Sequence, residues 1–239
     1  MQMISTDFFQ ESGKCRVAKI TMNGPKGNVL TISLLDELIN TLHGFETEQC
    51  GCLILSGGNH FFSVGADTKQ LLALETCEAV LERLSQANDL IAKFKGITIA
   101  AIAGYALGGG AELALSCDFI VGNETSRIGF PEVSLGIIPG GGATVRLPSR
   151  VGVAKSIELI LTGRVLSGSE ALEFNLIDFN VGSIQPSTWS YEFAKQLTRS
   201  SNQQIHAVKN LLRASFENRE VLFSNEQLSL VEILKNHSG

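Results

Sequence analysis

Proline is scarce in this 239-residue chain, with 5 in all. That excludes a Pro-rich linker or a collagen-like repeat. Cysteine is sparse as well: Cys15, Cys50, Cys52, Cys77 and Cys117 are odd in number and irregularly spaced. Such a set does not build a disulfide framework, and reduced thiols in a cytoplasmic protein are expected. Cys50 and Cys52, with His43 and His60 nearby, lack zinc-knuckle spacing, so ordinary thiols and no metal site are expected. The chain lacks any uninterrupted apolar run of about 18 residues, so no membrane span is expected. The apolar run over 97–107 is short and broken by Gly104. Residues 1–16 contain Asp7 and Glu11 and lack a basic segment followed by an apolar one, which argues against a secretory signal. An arginine-rich transit peptide is also missing. No basic tract occurs and the net charge is −5, which argues against a dedicated nucleic-acid binder. Charged residues make up only 18% against 44% hydrophobic, enough apolar material for a packed core and against global disorder. The length suits one large domain or two small ones.

Glycine is what the chain has in excess: 24 residues. The surplus is concentrated. Residues 96–142 hold 11 glycines in 47 positions, where average usage would give about 3. The same window carries five charges, Glu112, Asp118, Glu124, Arg127 and Glu132. Carboxylates isolated in apolar, glycine-rich sequence mark this as the place to look for chemistry.

Apolar periodicity predicts alternating strands and helices. Strands are expected over 17–22, 53–55, 61–63, 97–102 and 119–121, with a strand-like return over 176–181. Helices are expected over 31–45, with Thr31 or Ser33 as cap, and over 76–94 and 153–161. Ser169 opens a further short helix. Beyond Pro186, three sets of residues at helical spacing suggest a helical end: Trp189, Phe193 and Leu197; Ile205, Val208, Leu212 and Phe216; and Leu228, Val231 and Leu234. Strands that return after helices favour a parallel sheet. The expected class is α/β, with a core over 1–182 and a helical region over 183–239.

Two glycine-bounded turns could present backbone N–H groups to a ligand. One is Leu107-Gly108-Gly109-Gly110, which opens a helix containing Glu112. It matches neither the dinucleotide fingerprint nor a P-loop, since no Lys-Ser/Thr follows. The unpaired N–H groups and positive dipole end of such a helix suit a phosphate or an oxyanion. Glu112 in its first turn either favours the dipole or does chemistry. The other turn is Phe62-Ser63-Val64-Gly65-Ala66-Asp67-Thr68-Lys69, in which Asp67 reads as a helix cap. Glu132, in Gly129-Phe130-Pro131-Glu132-Val133-Ser134-Leu135-Gly136, has apolar neighbours that would raise its pKa. If it met Glu112, one carboxyl could act as acid and the other as base. A separation of 20 residues leaves that meeting open. Ser63 is not in a nucleophile elbow, and His43, His60, His206 and His237 have no evident catalytic partner.

These segments, with Ala103-Gly104-Tyr105-Ala106 ahead of the triple glycine, Ile137-Ile138-Pro139-Gly140 after Glu132, and Leu161-Thr162-Gly163-Arg164, resemble the crotonase (enoyl-CoA hydratase/isomerase) superfamily over about residues 15–216. The resemblance implies a crotonase-like spiral of repeated ββα units with a C-terminal α-helical region that helps form a homotrimer or a dimer of trimers. It implies an acyl-CoA or acyl-carrier thioester as substrate, with no cofactor beyond the coenzyme A of that substrate and no nucleic-acid or membrane partner. The N–H groups of Ala66 and Gly109 would form the oxyanion hole. Ala66, Asp67, Thr68 and Lys69, with Gly109, would bind the thioester. Glu112 and Glu132 would be catalytic, and both being present favours an enoyl-CoA hydratase. The alternative is another reaction of the family: enoyl-CoA isomerisation, or dehydration or decarboxylation of a carrier-bound acyl group. Members usually continue beyond the point matching Gly239 with a segment that closes the acyl pocket. A more open pocket, or one completed by a neighbouring subunit, is therefore expected.

Overall fold

The computed structural model describes residues 2–9, 16–45 and 50–214. Strand β1 (Ile4–Phe9) is followed by β2 (Arg16–Met22), the short turn α1 (Pro25–Asn28) and helix α2 (Ile32–Gly44). Then come β3 (Cys50–Ser56), β4 (Phe61–Ser63), α3 (Thr68–Leu72) and α4 (Leu74–Lys93). Next are β5 (Ile97–Ile102), β6 (Tyr105–Leu107), α5 (Gly109–Leu115), β7 (Phe119–Gly122) and β8 (Arg127–Gly129). A 3-10 turn (Pro131–Leu135) leads to α6 (Ala143–Val151) and α7 (Val153–Thr162). The described chain finishes with β9 (Val165–Ser167), α8 (Gly168–Glu173), β10 (Phe179–Asn180), α9 (Pro186–Leu197) and α10 (Asn202–Ala214).

Among the described residues two sheets form. The larger has strand order β1-β2-β3-β5-β7-β10, and the smaller β4-β6-β8-β9. Pairing is parallel from β2 to β10 in the first and from β4 to β8 in the second; β1 and β9 join antiparallel. The winding rule is visible in the order. A strand in the large sheet (β3, β5, β7) is followed by a short strand in the small sheet (β4, β6, β8) and then by a helix. This is the spiral of ββα units that the family resemblance implies.

The large sheet is covered on both faces, so its strands are apolar runs rather than alternations. All seven residues of β3 are buried. Leu53 and Leu55 point into the main core with α2, α4 and α5, while Cys52 and Ile54 point to the opposite face. There Ala194 joins Val17, Cys52, Ile54, Ile99, Ala101 and Val121, so α9 lies against the sheet. Trp189 and Phe193 of α9 pack against Phe179, tilted and edge-on, at 4.7 and 5.1 Å between ring centres. Cys52, Cys77 and Cys117 are free thiols, and no described helix is long and apolar enough to cross a membrane.

Several elements depart from the periodicity reading. The 176–181 return is strand only at Phe179–Asn180, and the stretch after Ile102, given no element from the periodicity, contains β6. Helix α6 runs through Pro148, where proline hides a helix in sequence. The positions Phe216, Leu228, Val231 and Leu234, Cys15, His237 and the chain end at Gly239 lie outside the described residues.

Candidate active site

Three neighbouring parallel strands, β4, β6 and β8, end side by side. Each runs directly into one of the segments singled out in the sequence. Beyond β4 is the Gly65-Ala66 turn, beyond β6 is Gly108 with the Glu112 helix, and beyond β8 is the turn carrying Glu132. Pairing is explicit at the ends: the Gly108 N–H donates to the Gly129 carbonyl at 3.0 Å, and the Glu112 N–H to the Gly108 carbonyl at 2.9 Å. Strand order thus brings together two glutamates 20 residues apart. Carboxyl ends of parallel strands are where α/β folds bind ligands.

Glu112 is 2% exposed in the first turn of α5. Burial pushes its carboxyl above the ordinary range. Opposing this, the N–H groups of Ala143 and Gly141 donate to its Oε1 at 3.0 and 2.8 Å, and the Arg146 charge also favours the ionised form. The donors come from a tight loop in which Gly142 has φ +108° and heads α6. A side chain at Gly141 would collide with Glu112 Oε2.

Glu132 is 8% exposed, and its Oε2 is buried with no hydrogen-bond partner among the described residues. Burial pushes this carboxyl up to about 7; its own backbone N–H pulls it down and the charge of Glu112 pushes it up. A buried, unpaired polar oxygen costs about 1–3 kcal/mol and is rare in native structures. Gly108 lies against Glu132: a Cβ there would lie 3.0 Å from Glu132 Oε1. Its backbone (φ +49°, ψ −122°) is one that residues with a Cβ avoid.

The two turns that carry the expected amide donors also meet. The Leu30 N–H donates to the Gly65 carbonyl and the Asp67 N–H to the Leu30 carbonyl, at 2.9 and 3.2 Å. These bonds use the groups on either side of Ala66 and leave the Ala66 N–H facing away from Leu30. Gly109 opens α5, so its N–H has no place in the helix ladder. A Cβ on Gly109 would lie 3.5 Å from the Ala66 nitrogen, and one on Gly65 only 2.7 Å from the Leu107 carbonyl oxygen. The two turns therefore rest against each other. Asp67 caps α3 by accepting from the N–H groups of Lys69 and Gln70, as its residue type suggested. Ala66 and Asp67 are half-buried, while Thr68 and Lys69 are exposed on the open side.

Three other residues named in the sequence analysis serve the fold. Asp118 is an anchor between elements, paired with Lys209 and Arg213 and accepting from Thr98. Arg164 pairs with Glu158 and Glu170. Ser63 is fully buried; its hydroxyl donates to the Asn28 carbonyl at 2.8 Å and accepts from Gly65 N–H. Sequence reasoning missed Asn28, whose amide donates to the carbonyls of Gly57, Phe61 and Phe62. With φ +59° it sits in left-handed backbone, which asparagine tolerates better than most residues. Its position after Gly27 was the available signal.

Comparison with known proteins agrees with the geometry. The enoyl-CoA hydratase/isomerase family model matches residues 12–238. A Rhizobium meliloti protein named "Probable enoyl-CoA hydratase" is 40% identical over 164 residues, covering 68% of this chain. The chain spans 64% of that relative's length. The 2,3-dehydroadipyl-CoA hydratase of Escherichia coli K12 is 35% identical over 208 residues, 84% of this chain and 80% of that protein. The crystal structure of enoyl-CoA hydratase from Bacillus anthracis superposes with a TM-score of 0.90 at 31% identity, covering 98% of this chain and 92% of that one.

Proposed function

The chain belongs to the enoyl-CoA hydratase/isomerase family, and from that premise we propose that it is an enoyl-CoA hydratase. It adds water across the double bond of an α,β-unsaturated acyl-CoA and releases the 3-hydroxyacyl-CoA. The observation that carries this reading is the pair of buried carboxyls with unlike surroundings. Glu112 has two backbone donors on one oxygen, which favours its ionised form; Glu132 has a raised pKa and one oxygen without a partner.

In this reading Glu112, as carboxylate, takes a proton from water as the oxygen attacks Cβ. Electrons move from the double bond toward the thioester carbonyl, and the N–H groups of Ala66 and Gly109 stabilise the enolate oxygen. Glu132, protonated, gives its proton to Cα. A carboxyl that titrates near neutrality suits that donor role. Preorganised N–H donors act where charge develops, and removing one typically costs about 2.7–4 kcal/mol of transition-state stabilisation. Ala66, Asp67, Thr68 and Lys69 line the route for the coenzyme A portion. No cofactor enters beyond coenzyme A itself. A cytoplasmic homotrimer or dimer of trimers, which the helical region over 183–239 helps to form, is part of the same proposal.

The test is direct. Purified protein mixed with crotonyl-CoA is expected to remove the enoyl absorbance and yield 3-hydroxybutyryl-CoA. A panel that includes a 3-enoyl-CoA and carrier-bound thioesters is expected to turn over more slowly. Isomerised or decarboxylated product, with no hydration of crotonyl-CoA, would overturn the assignment.

A further inference from the structure

Helix α4 presents Leu84 to the site and, one turn further, Asn88. The buried positions around it, Val80, Leu84, Ala87 and Ile91, are apolar, yet Asn88 is fully buried as well. A buried amide persists where both of its ends are paired, and both ends of Asn88 pair with the frame of Glu112. Its Nδ2 donates to the Gly141 carbonyl at 2.7 Å. Its Oδ1 accepts from the Ser116 hydroxyl at 3.1 Å. Ser116 caps the end of the Glu112 helix, with its hydroxyl 3.0 Å from the Glu112 carbonyl. Gly141 in turn donates its N–H to Glu112 Oε1. One side chain therefore ties the helix that carries Glu112 to the loop that holds its carboxylate. Arg146 Nη1 adds a second donor to the Gly141 carbonyl at 3.1 Å.

We propose that Asn88 is a positioning residue for Glu112: it fixes the 140–143 loop so that the N–H groups of Gly141 and Ala143 stay aimed at Oε1, leaving Oε2 to meet the attacking water. Asn88 touches no reacting atom and acts through the loop. The inference rests on the hydratase reading, in which Glu112 is the base. The charged groups that face Glu112 are Glu132 from the 3-10 turn and Arg146 from α6, the latter near Asp89 of α4 at 3.6 Å. Substituting Asn88 removes none of them.

The experiment compares wild type, Asn88→Ala, Glu112→Gln and the double variant on crotonyl-CoA across pH. Losing an aligned hydrogen bond of this kind is expected to lower kcat of Asn88→Ala by about tenfold, with KM little changed. The acidic limb of its pH profile is expected to move to higher pH, because the carboxylate has lost aligned donors. The double variant is expected to be no slower than Glu112→Gln alone, since groups that act as one unit are not additive. A fully additive loss, or an unmoved acidic limb, would overturn the role. If Asn88→Ala does not fold, Ser116→Ala takes its place with the same expected direction and the same contrary results. An inactive wild type would overturn the hydratase reading and this role together; an active wild type with additive losses would overturn this role alone.

Discussion

Burial acts on the two site glutamates in the same direction, and their hydrogen bonds separate them. Glu132 carries the larger consequence for stability. Its carboxyl is pushed up to about 7 in the native state, against about 4.3 in an unfolded chain. Between those values the native protein holds a proton that the unfolded chain has released. Native stability therefore falls as pH rises through that window, and the deficit is complete above about pH 7. The cost is of order 3 kcal/mol. Glu132→Gln removes the charge and keeps the shape, so it is expected to melt several degrees above wild type at pH 8. The gap should close toward pH 4. Calorimetry at the two pH values checks this, and a pH-independent gap would contradict it. In the proposed mechanism the same group predicts a basic limb: kcat/KM of the free enzyme should fall as pH rises through about 7, because Glu132 would lose the proton that mechanism has it donate.

The elements matter through where they stop. Strands β4, β6 and β8 are three residues each, too short for a period of two to show in sequence. β4 was still legible as the apolar pair Phe61-Phe62 ahead of the Gly65 turn, whereas β6 and β8, which lie among glycines, were left unassigned. Yet the residues just beyond their ends were legible, because glycines and lone carboxylates stand out in apolar sequence. Asn28 and Asn88 were less so. Asn88 sits among Ser85, Gln86 and Asp89, so it reads as a solvated face; only its place four residues after Leu84 put it on the buried stripe. Gly108 gives the sharpest test at this scale. Gly108→Ala adds a Cβ 3.0 Å from Glu132 Oε1 in backbone that disfavours one. It is expected to lower kcat by about 10²-fold, the scale of losing one oxyanion donor, while circular dichroism stays native-like. An active Gly108→Ala enzyme would show that the turn is not part of the site.

At the scale of the molecule, the alternation of strands and helices was readable, but the split into two sheets was not. That split depends on each pair of strands turning between sheets, a tertiary choice that local pattern does not encode. It is also what places three strand ends, and the three motifs just beyond them, side by side. The surface leaves Val153, Ile157 and Leu161 exposed at four-residue spacing along α7, an apolar stripe of the kind that subunits cover. Light scattering is expected to give the mass of a trimer or of six chains. Ile157→Lys with Leu161→Lys is expected to lower that mass; a wild-type monomer would contradict the proposed assembly.

The central claim is that Glu112 and Glu132 act together as base and acid on one thioester. Steady-state hydration of crotonyl-CoA by Glu112→Gln and Glu132→Gln, each checked for native melting, tests it most directly. Each variant is expected to lose about 10²–10⁴-fold in kcat, and the double variant far less than the product of the two losses. Near-wild-type rates in either single variant would contradict the account.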